Sequence, residues 1–267
     1  MNAARRVLLG GLVGSCLALL GYALGVGPHQ LEVTRHSLRS SASVPAIRIA
    51  QLSDLHLHGM GRHEANIAAQ LQRIQADLIV LSGDVIDRPD ALPVLDQFLG
   101  TLGPAHKVAV LGNWEYWSDV DLLALRALYE RHAVRLLINE RTVYTVGSRV
   151  LHVAGVDDFT AGQPDARLLL PPAGAETRLL VQHSPGWFDT TDALQPLAQL
   201  DLCLSGHTHG GQVALFGKPV WTPRGSGRFS AGFYQTRHCK LYVSRGLGTS
   251  ILPSRFGATA EIAVFDL

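Results

Sequence analysis

The sequence predicts an α/β fold built on mixed β-structure, and three observations carry that expectation. Short apolar runs of β-type residues alternate with helix-period segments, the pattern of repeated βαβ units. Five of those runs stop at Asp, Asn or His, usually beside Gly. Between the third and fourth run, segments 141–146 and 150–156 read as an antiparallel pair around Gly147-Ser148.

The elements follow in order. Residues 47–52 form a first strand that runs into Ser53-Asp54-Leu55-His56, and a helix is expected over 63–75. Leu78-Ile79-Val80-Leu81 ends at Ser82-Gly83-Asp84, with a helix over 91–102. Val108-Ala109-Val110-Leu111 ends at Gly112-Asn113, with a helix over 120–132. After the hairpin, Leu179-Leu180-Val181-Gln182 ends at His183, and Leu202-Cys203-Leu204 ends at Ser205-Gly206-His207-Thr208-His209.

In open α/β sheets, sites form beyond the carboxyl ends of the strands. The topology therefore gathers Asp54, His56, Asp84, Asn113, His183, His207 and His209 at one edge. Oxygen and imidazole donors without thiolate suit divalent Mn, Fe, Zn or Mg. Seven donors are too many for one ion with an open position and about right for two. An Asp after a strand, taken alone, is more often a helix N-cap, and a lone His183 is more often a hydrogen-bonded structural residue. The weight lies in the ordered set.

Composition bounds the alternatives. The chain has 267 residues and is 47% hydrophobic, enough for a large core. Arg5 and Arg6 are the only charges in the first 28 residues, leaving 21 basic against 22 acidic residues in the remainder. A near-neutral domain lacks the basic field of a nucleic-acid binder. Residues 218–267 carry seven Lys or Arg against two acids, so this region can attract an anion, and Arg228 and Arg245 are candidate phosphate contacts. Three cysteines give neither a disulfide framework nor zinc spacing, and Cys203 and Cys239 read as small core residues.

From Val7 to Gly27 there are 21 residues without a charge, long enough for a transmembrane helix. Arg5-Arg6 before it place the N-terminus in the cytoplasm and the domain on the extracytoplasmic side of the inner membrane. A cleaved export signal that yields a soluble exported protein is the alternative. The expected organisation is residues 1–28 as anchor or signal, 29–45 as a polar linker, and 46–267 as the domain.

The set Asp54-x-His56, Gly83-Asp84-x-x-Asp87, Gly112-Asn113, His183 and Gly206-His207-x-His209 resembles the calcineurin-like metallophosphoesterases. The ending Val243–Ser250 followed by Arg255-Phe256 is similar to their bacterial membrane-associated or exported branch. The resemblance implies a four-layer α/β/β/α sandwich of two mixed sheets. It also implies two metal ions, Mn foremost: Asp54, His56 and His209 would hold one, Asn113, His183 and His207 the other, and Asp84 would bridge them. Phosphoester or phosphoanhydride hydrolysis by activated water follows, on a phosphorylated small molecule, a lipid-linked phosphate or a nucleotide sugar. The pyrophosphate of UDP-2,3-diacylglucosamine in lipid A biosynthesis is one candidate.

The family places a His, its general acid, after Asn113, where this chain has Trp114. Indole has no usable pKa. His58, two residues after His56 in an extended stretch, is the candidate replacement. The competing class is a binding module that keeps the metals without turnover.

Overall fold

The computed structural model describes residues 3–38, 45–165, 177–190, 200–237 and 239–267. The first expected strand forms over Arg48–Leu52 (β2), with its residues pointing alternately to two apolar clusters. Ala50 and Leu52 face one cluster and Ile49 the other, as a strand buried on both faces requires. β3 (Leu78–Ser82), β4 (His106–Val110) and the short β5 (Val134–Leu136) continue the sheet in parallel. The intervening helices α2 (Arg62–Ile74), α3 (Leu92–Leu99) and α5 (Leu122–Arg131) lie close to the expected ranges. In α2 the buried residues Ile67, Ala68, Leu71 and Ile74 recur at helical spacing on the face that meets the sheet. Asp121 caps α5, its carboxylate accepting from Leu123 N at 2.9 Å. α3 is shorter than expected, because a 3-10 turn over Pro89–Ala91 absorbs its start and the helix closes at Gly100.

The expected hairpin is β6 (Glu140–Val146) with β7 (Arg149–Gly155), turning at Gly147 in the left-handed region. With β8 (Thr177–Val181) and β9 (Leu202–Ser205) it builds a second sheet, completed by β12 (Gly232–Gln235) and β13 (Lys240–Val243). The sheet orders are β1-β14-β2-β3-β4-β5 and β12-β13-β9-β8-β7-β6, each six-stranded and mixed among the described residues. Here β1 is Leu31–Ser37 and β14 is Ala260–Asp266. The sheets pack face to face through Ile49, Val80, Val108, Val153, Leu179 and Leu204. Helices cover the outer face of the first sheet, and Trp187, Phe188 and Phe229 pack on the outer face of the second.

Three expectations change. The segment expected as a polar linker contains β1, which pairs in parallel with β14 from Leu31 to Ser37. Its alternating Leu-Glu-Val-Thr pattern is that of an edge strand. Residues 39–44 of that segment lie outside the described residues. Cys203 and Cys239, read as core thiols, are joined in a disulfide between β9 and the start of β13. Their sequence separation of 36 gave no cue; the parallel pairing of β9 with β13 brings them together.

The N-terminal segment forms α1 over Ala3–Gly25. Among the described residues no helix is long and apolar enough to cross a membrane, so the expected transmembrane span gains no support from the fold. The end of α1 is nonetheless fixed to the domain. Ala23 O accepts from Arg255 N at 2.9 Å, and the Tyr22 ring meets Phe256 edge-on.

Candidate metal centre

The candidate ligands follow the ends of their strands, where adjacent loops stay paired, Asp54 N donating to Gly83 O at 3.0 Å and Gly206 N to His183 O at 3.0 Å. Asp54, His56, Asp84, His207 and His209 all sit at positive φ, between 43° and 70°. Non-glycine residues rarely adopt that conformation, and its cost collects at functional sites. The loops close on one another tightly. A Cβ on Gly206 would stand 1.8 Å from Ser53 Oγ, and one on Gly112 would stand 2.2 Å from Asp84 Oδ1. At Gly206 and Gly112 two segments of the chain touch, which leaves no room for a side chain.

Two buried groups of donors result. Asp54, His56 and His209 form one and Asp84, His183 and His207 the other; within each, one donor atom per residue lies within 4.8 Å of the others. His56 Nε2 and His209 Nε2 face each other at 3.2 Å, and His209 Nε2 lies 3.3 Å from Asp54 Oδ1. In the second group His183 Nε2 is 3.1 Å from Asp84 Oδ2, and His207 Nδ1 is 2.8 Å from Asn113 Oδ1. The same Asp84 Oδ2 reaches back to within 3.9 Å of His56 Nε2. One carboxylate oxygen thus joins the two groups, and all seven expected ligands meet.

The surroundings fix which atom of each ring faces inward. His183 Nδ1 donates to Ser82 O at 2.7 Å, His207 Nε2 donates to Arg224 O at 2.8 Å, and His56 Nδ1 lies 3.3 Å from Asp87 Oδ2. Each of these partners commits one nitrogen and turns the other toward the centre, the usual outer arrangement around metal-ligating histidines. His183 Nε2 is buried with no well-aligned hydrogen bond, its near neighbour being Asp84 Oδ2 at 3.1 Å. Facing imidazole nitrogens, a ring nitrogen without a well-aligned partner and converging carboxylates fit divalent cations.

Charge follows the same division. Burial opposes ionisation of Asp84, but the neighbouring His183 holds its pKa well below the usual carboxylate range. Burial likewise opposes charge on His183, yet Asp84 pulls it well above the ordinary imidazole value. Burial, reinforced by His56, drives His209 well below it. Burial raises the Asp54 carboxyl, and the nearby Asp84 charge adds to the effect.

Several residues that build the centre escape a reading of the sequence. Glu115 is buried, and its carboxylate accepts from Gly112 N at 2.8 Å, Val85 N at 2.7 Å and Asp84 N at 3.2 Å. It ties two ligand loops together from the start of the short helix α4 (Asn113–Trp117). Burial and then the Asp84 charge push its pKa up to about 7. Gly-x-x-Glu at a helix start is the available cue. Asp157 and Asp158 do similar work from the end of β7: Asp157 accepts from Tyr116 Oη at 2.7 Å, and Asp158 accepts from Ser184 Oγ at 2.6 Å. The Val243–Ser250 motif wraps onto the first ligand, with Gly248 N donating to Asp54 O at 2.7 Å.

Above the donors lies a cavity of about 270 Å³, walled by Trp114, Trp117, Trp221, Pro223, Arg224 and Ile251. Trp114 N donates to Asp84 Oδ1 at 2.8 Å, and its ring stands edge-on to His56. The other candidates lie elsewhere. His58 is exposed and pairs with Asp87 at 3.0 Å, so it touches the centre only through the carboxylate that orients His56. Arg228 pairs with Asp189 and Arg245 with Glu32 and Glu261, and neither lines the cavity. Arg255 is buried and donates to the carbonyls of Arg245, Gly248 and Ala258. Arg224 is the arginine at the cavity wall.

Comparison with known proteins agrees with this geometry. The calcineurin-like phosphoesterase family model matches residues 47–211, from β2 to the loop that carries His207 and His209. An uncharacterized metallophosphoesterase of Bacillus subtilis, YkuE, is 31% identical over 287 residues, covering 99% of this chain and 97% of its own. Phosphodiesterase YaeI of Escherichia coli is 29% identical over 261 residues, 92% of each. The solved structure of an NAD nucleotidase from Haemophilus influenzae superposes with a TM-score of 0.52 over 76% of this chain and 50% of that one. Its identity is 14%, so this likeness concerns the fold alone. With its motifs, its paired donor groups and its match from Ile47 to Gly211, the chain belongs to the calcineurin-like phosphoesterases, hydrolases that act on phosphoesters.

Proposed function

We propose that this phosphoesterase uses two divalent cations, Mn foremost, and acts on phosphate bonds whose leaving group departs without a proton. The observation behind the two-ion reading is the shared Asp84 Oδ2, 3.1 Å from His183 Nε2 and 3.9 Å from His56 Nε2. When bound, the cations supply the charge that activates water and neutralises phosphoryl oxygens. The chain supplies position. Asp87, Ser82 O and Arg224 O hold the three imidazoles in register, while Trp114 and Trp117 keep bulk water from one side of the cavity.

Arg224 is the one ionisable side chain, apart from the ligands, among the described residues that line the cavity. Its guanidinium suits a phosphate and cannot act as an acid at neutral pH. The leaving oxygen therefore meets no side-chain proton donor, which favours anhydrides and aryl esters over alkyl esters. The pyrophosphate bond of a lipid-linked or nucleotide-sugar substrate satisfies that condition, and the apolar part of such a substrate matches the apolar walls.

The same reading places the domain outside the inner membrane, held there by the N-terminal segment. Arg5-Arg6 before an uncharged run support that placement, and so does a disulfide, which persists in oxidising compartments.

Hydrolysis of matched aryl and alkyl phosphodiesters by the Mn-loaded chain tests the mechanism. Trp114→His is expected to speed the alkyl substrate by about 10²-fold, the usual contribution of a general acid, and to leave the aryl substrate nearly unchanged. Equal effects on both substrates contradict it.

A further inference from the structure

The rim of the cavity carries apolar side chains that neither packing nor backbone preference explains. The ribbon β10 (Ala214–Leu215) and β11 (Lys218–Pro219) turns at Phe216-Gly217, both at positive φ, a two-residue turn that ordinarily takes Asn, Asp or Gly. Phe216 holds the first position and is fully exposed. On the cavity wall, Ile251 also has positive φ, 64°, and is 79% exposed. A β-branched residue in that conformation is an outlier. Both residues bear a backbone cost, and neither recovers it by burial within the chain. Leu215, Val220, Trp221 and Leu252 are exposed beside them.

The two segments form one surface. Gln212 binds both sides of the 250–252 loop, accepting from Ser250 N and donating to Leu252 O, while Phe256 O accepts from Ala214 N at 2.7 Å. Phe256 in turn meets Tyr22, so the surface is continuous with the end of α1, where Leu17, Leu20 and Leu24 are exposed. Its charge is one-sided. Residues 212–224 and 248–257 contain no Asp or Glu, and Lys218 and Arg224 flank the apolar tip. Exposed aromatic and aliphatic tips with basic flanks suit the interface of a bilayer containing anionic lipids.

We infer that the 214–221 ribbon and the 250–252 loop sit in the headgroup region of an anionic bilayer, so that the cavity opens onto the membrane surface. The strained conformations of Phe216 and Ile251 then hold those side chains outward for the lipid. Substrate reaches the metal centre along the apolar wall of Trp221 and Ile251. This membrane contact belongs to the catalytic domain itself and does not depend on whether α1 spans or is removed.

The full chain, with Cys16→Ser to remove the free thiol, is reconstituted into vesicles of phosphatidylcholine and phosphatidylglycerol. An environment-sensitive fluorophore is attached at Phe216→Cys, at Ile251→Cys or, as a reference, at the exposed helix position Leu123→Cys. Lipids bearing a nitroxide near the top of the acyl chain are expected to quench the first two labels and to spare the third. Equal quenching at all three positions overturns the inference. So does a blue shift at 216 and 251 that grows with protein density without lipid quenching, which assigns the surface to a second copy of the chain. Hydrolysis of a soluble aryl phosphodiester by the unsubstituted, Mn-loaded chain is followed in parallel; its absence counts against the proposed function, whereas the quenching decides the rim.

Discussion

Glu115 gives the account a point of leverage, because it touches the ligand loops without being a ligand. Its two oxygens serve the buried amides of Gly112, Asp84 and Val85, with that of Ile86 more distant at 3.5 Å. Glu115→Gln preserves shape but leaves one carbonyl oxygen where two carboxylate oxygens stood, and its amide group must face a donor. Either Val85 N or the Gly112 and Asp84 pair loses its acceptor. A buried donor left unsatisfied costs about 1–3 kcal/mol, so one or two of them cost about 1–6 kcal/mol. For a chain of this size each kcal/mol lowers Tm by about 2–4 °C. The released loops carry Asp84 and Asn113, so Mn affinity falls by about 10–100-fold, as for other lost supporting contacts. Thermal unfolding with and without Mn, together with competitive metal titration, reads both effects. If Glu115→Gln keeps its Tm and its metal affinity, the carboxylate does not organise the centre and the reasoning fails.

Two further expectations concern structure away from the chemistry. Arg255→Met removes a buried guanidinium whose partners are carbonyls, leaving those of Arg245, Gly248 and Ala258 without it; stability is expected to fall by about 3 kcal/mol or more while KM of the remaining folded enzyme is unchanged. A raised KM with full stability would instead assign Arg255 to the substrate. Reduction of Cys203–Cys239, which closes a loop of sequence separation 36, is expected to cost about 3–4 kcal/mol and to be read as a lower Tm in dithiothreitol. An unchanged Tm under reducing conditions would show that the bond contributes nothing.

Much of the site was legible because its residues obey a local rule: Asp54, Asp84, Asn113, His183 and His207 lie just past the ends of buried strands, which hydrophobic periodicity locates, and the ordered motifs mark them with His56 and His209 as candidate ligands. What escaped depends on contacts between distant segments. Glu115 looks like an ordinary helix-start acid until Gly83-Asp84 folds over it, and Arg224 contributes a backbone carbonyl that no side-chain pattern announces. The arginine candidates failed for a related reason. Composition showed a basic C-terminal region, but Arg228 and Arg245 find their acids across the fold, at Asp189, Glu32 and Glu261. β1 was missed because an edge strand with one polar face reads like a linker until β14, more than 200 residues later, pairs with it. His58 was placed by local spacing, and Asp87 then draws it away from the cavity.

The two-ion centre rests on Asp84 serving both donor groups, and metal content at saturation tests that most directly. Purified chain equilibrated with Mn, freed of excess ion and analysed by mass spectrometry for metal per protein, is expected to hold two ions, and Asp84→Ala is expected to hold fewer and to lose activity. A fully active chain that saturates at one ion, or an Asp84→Ala protein that keeps two and still turns over, would contradict the account.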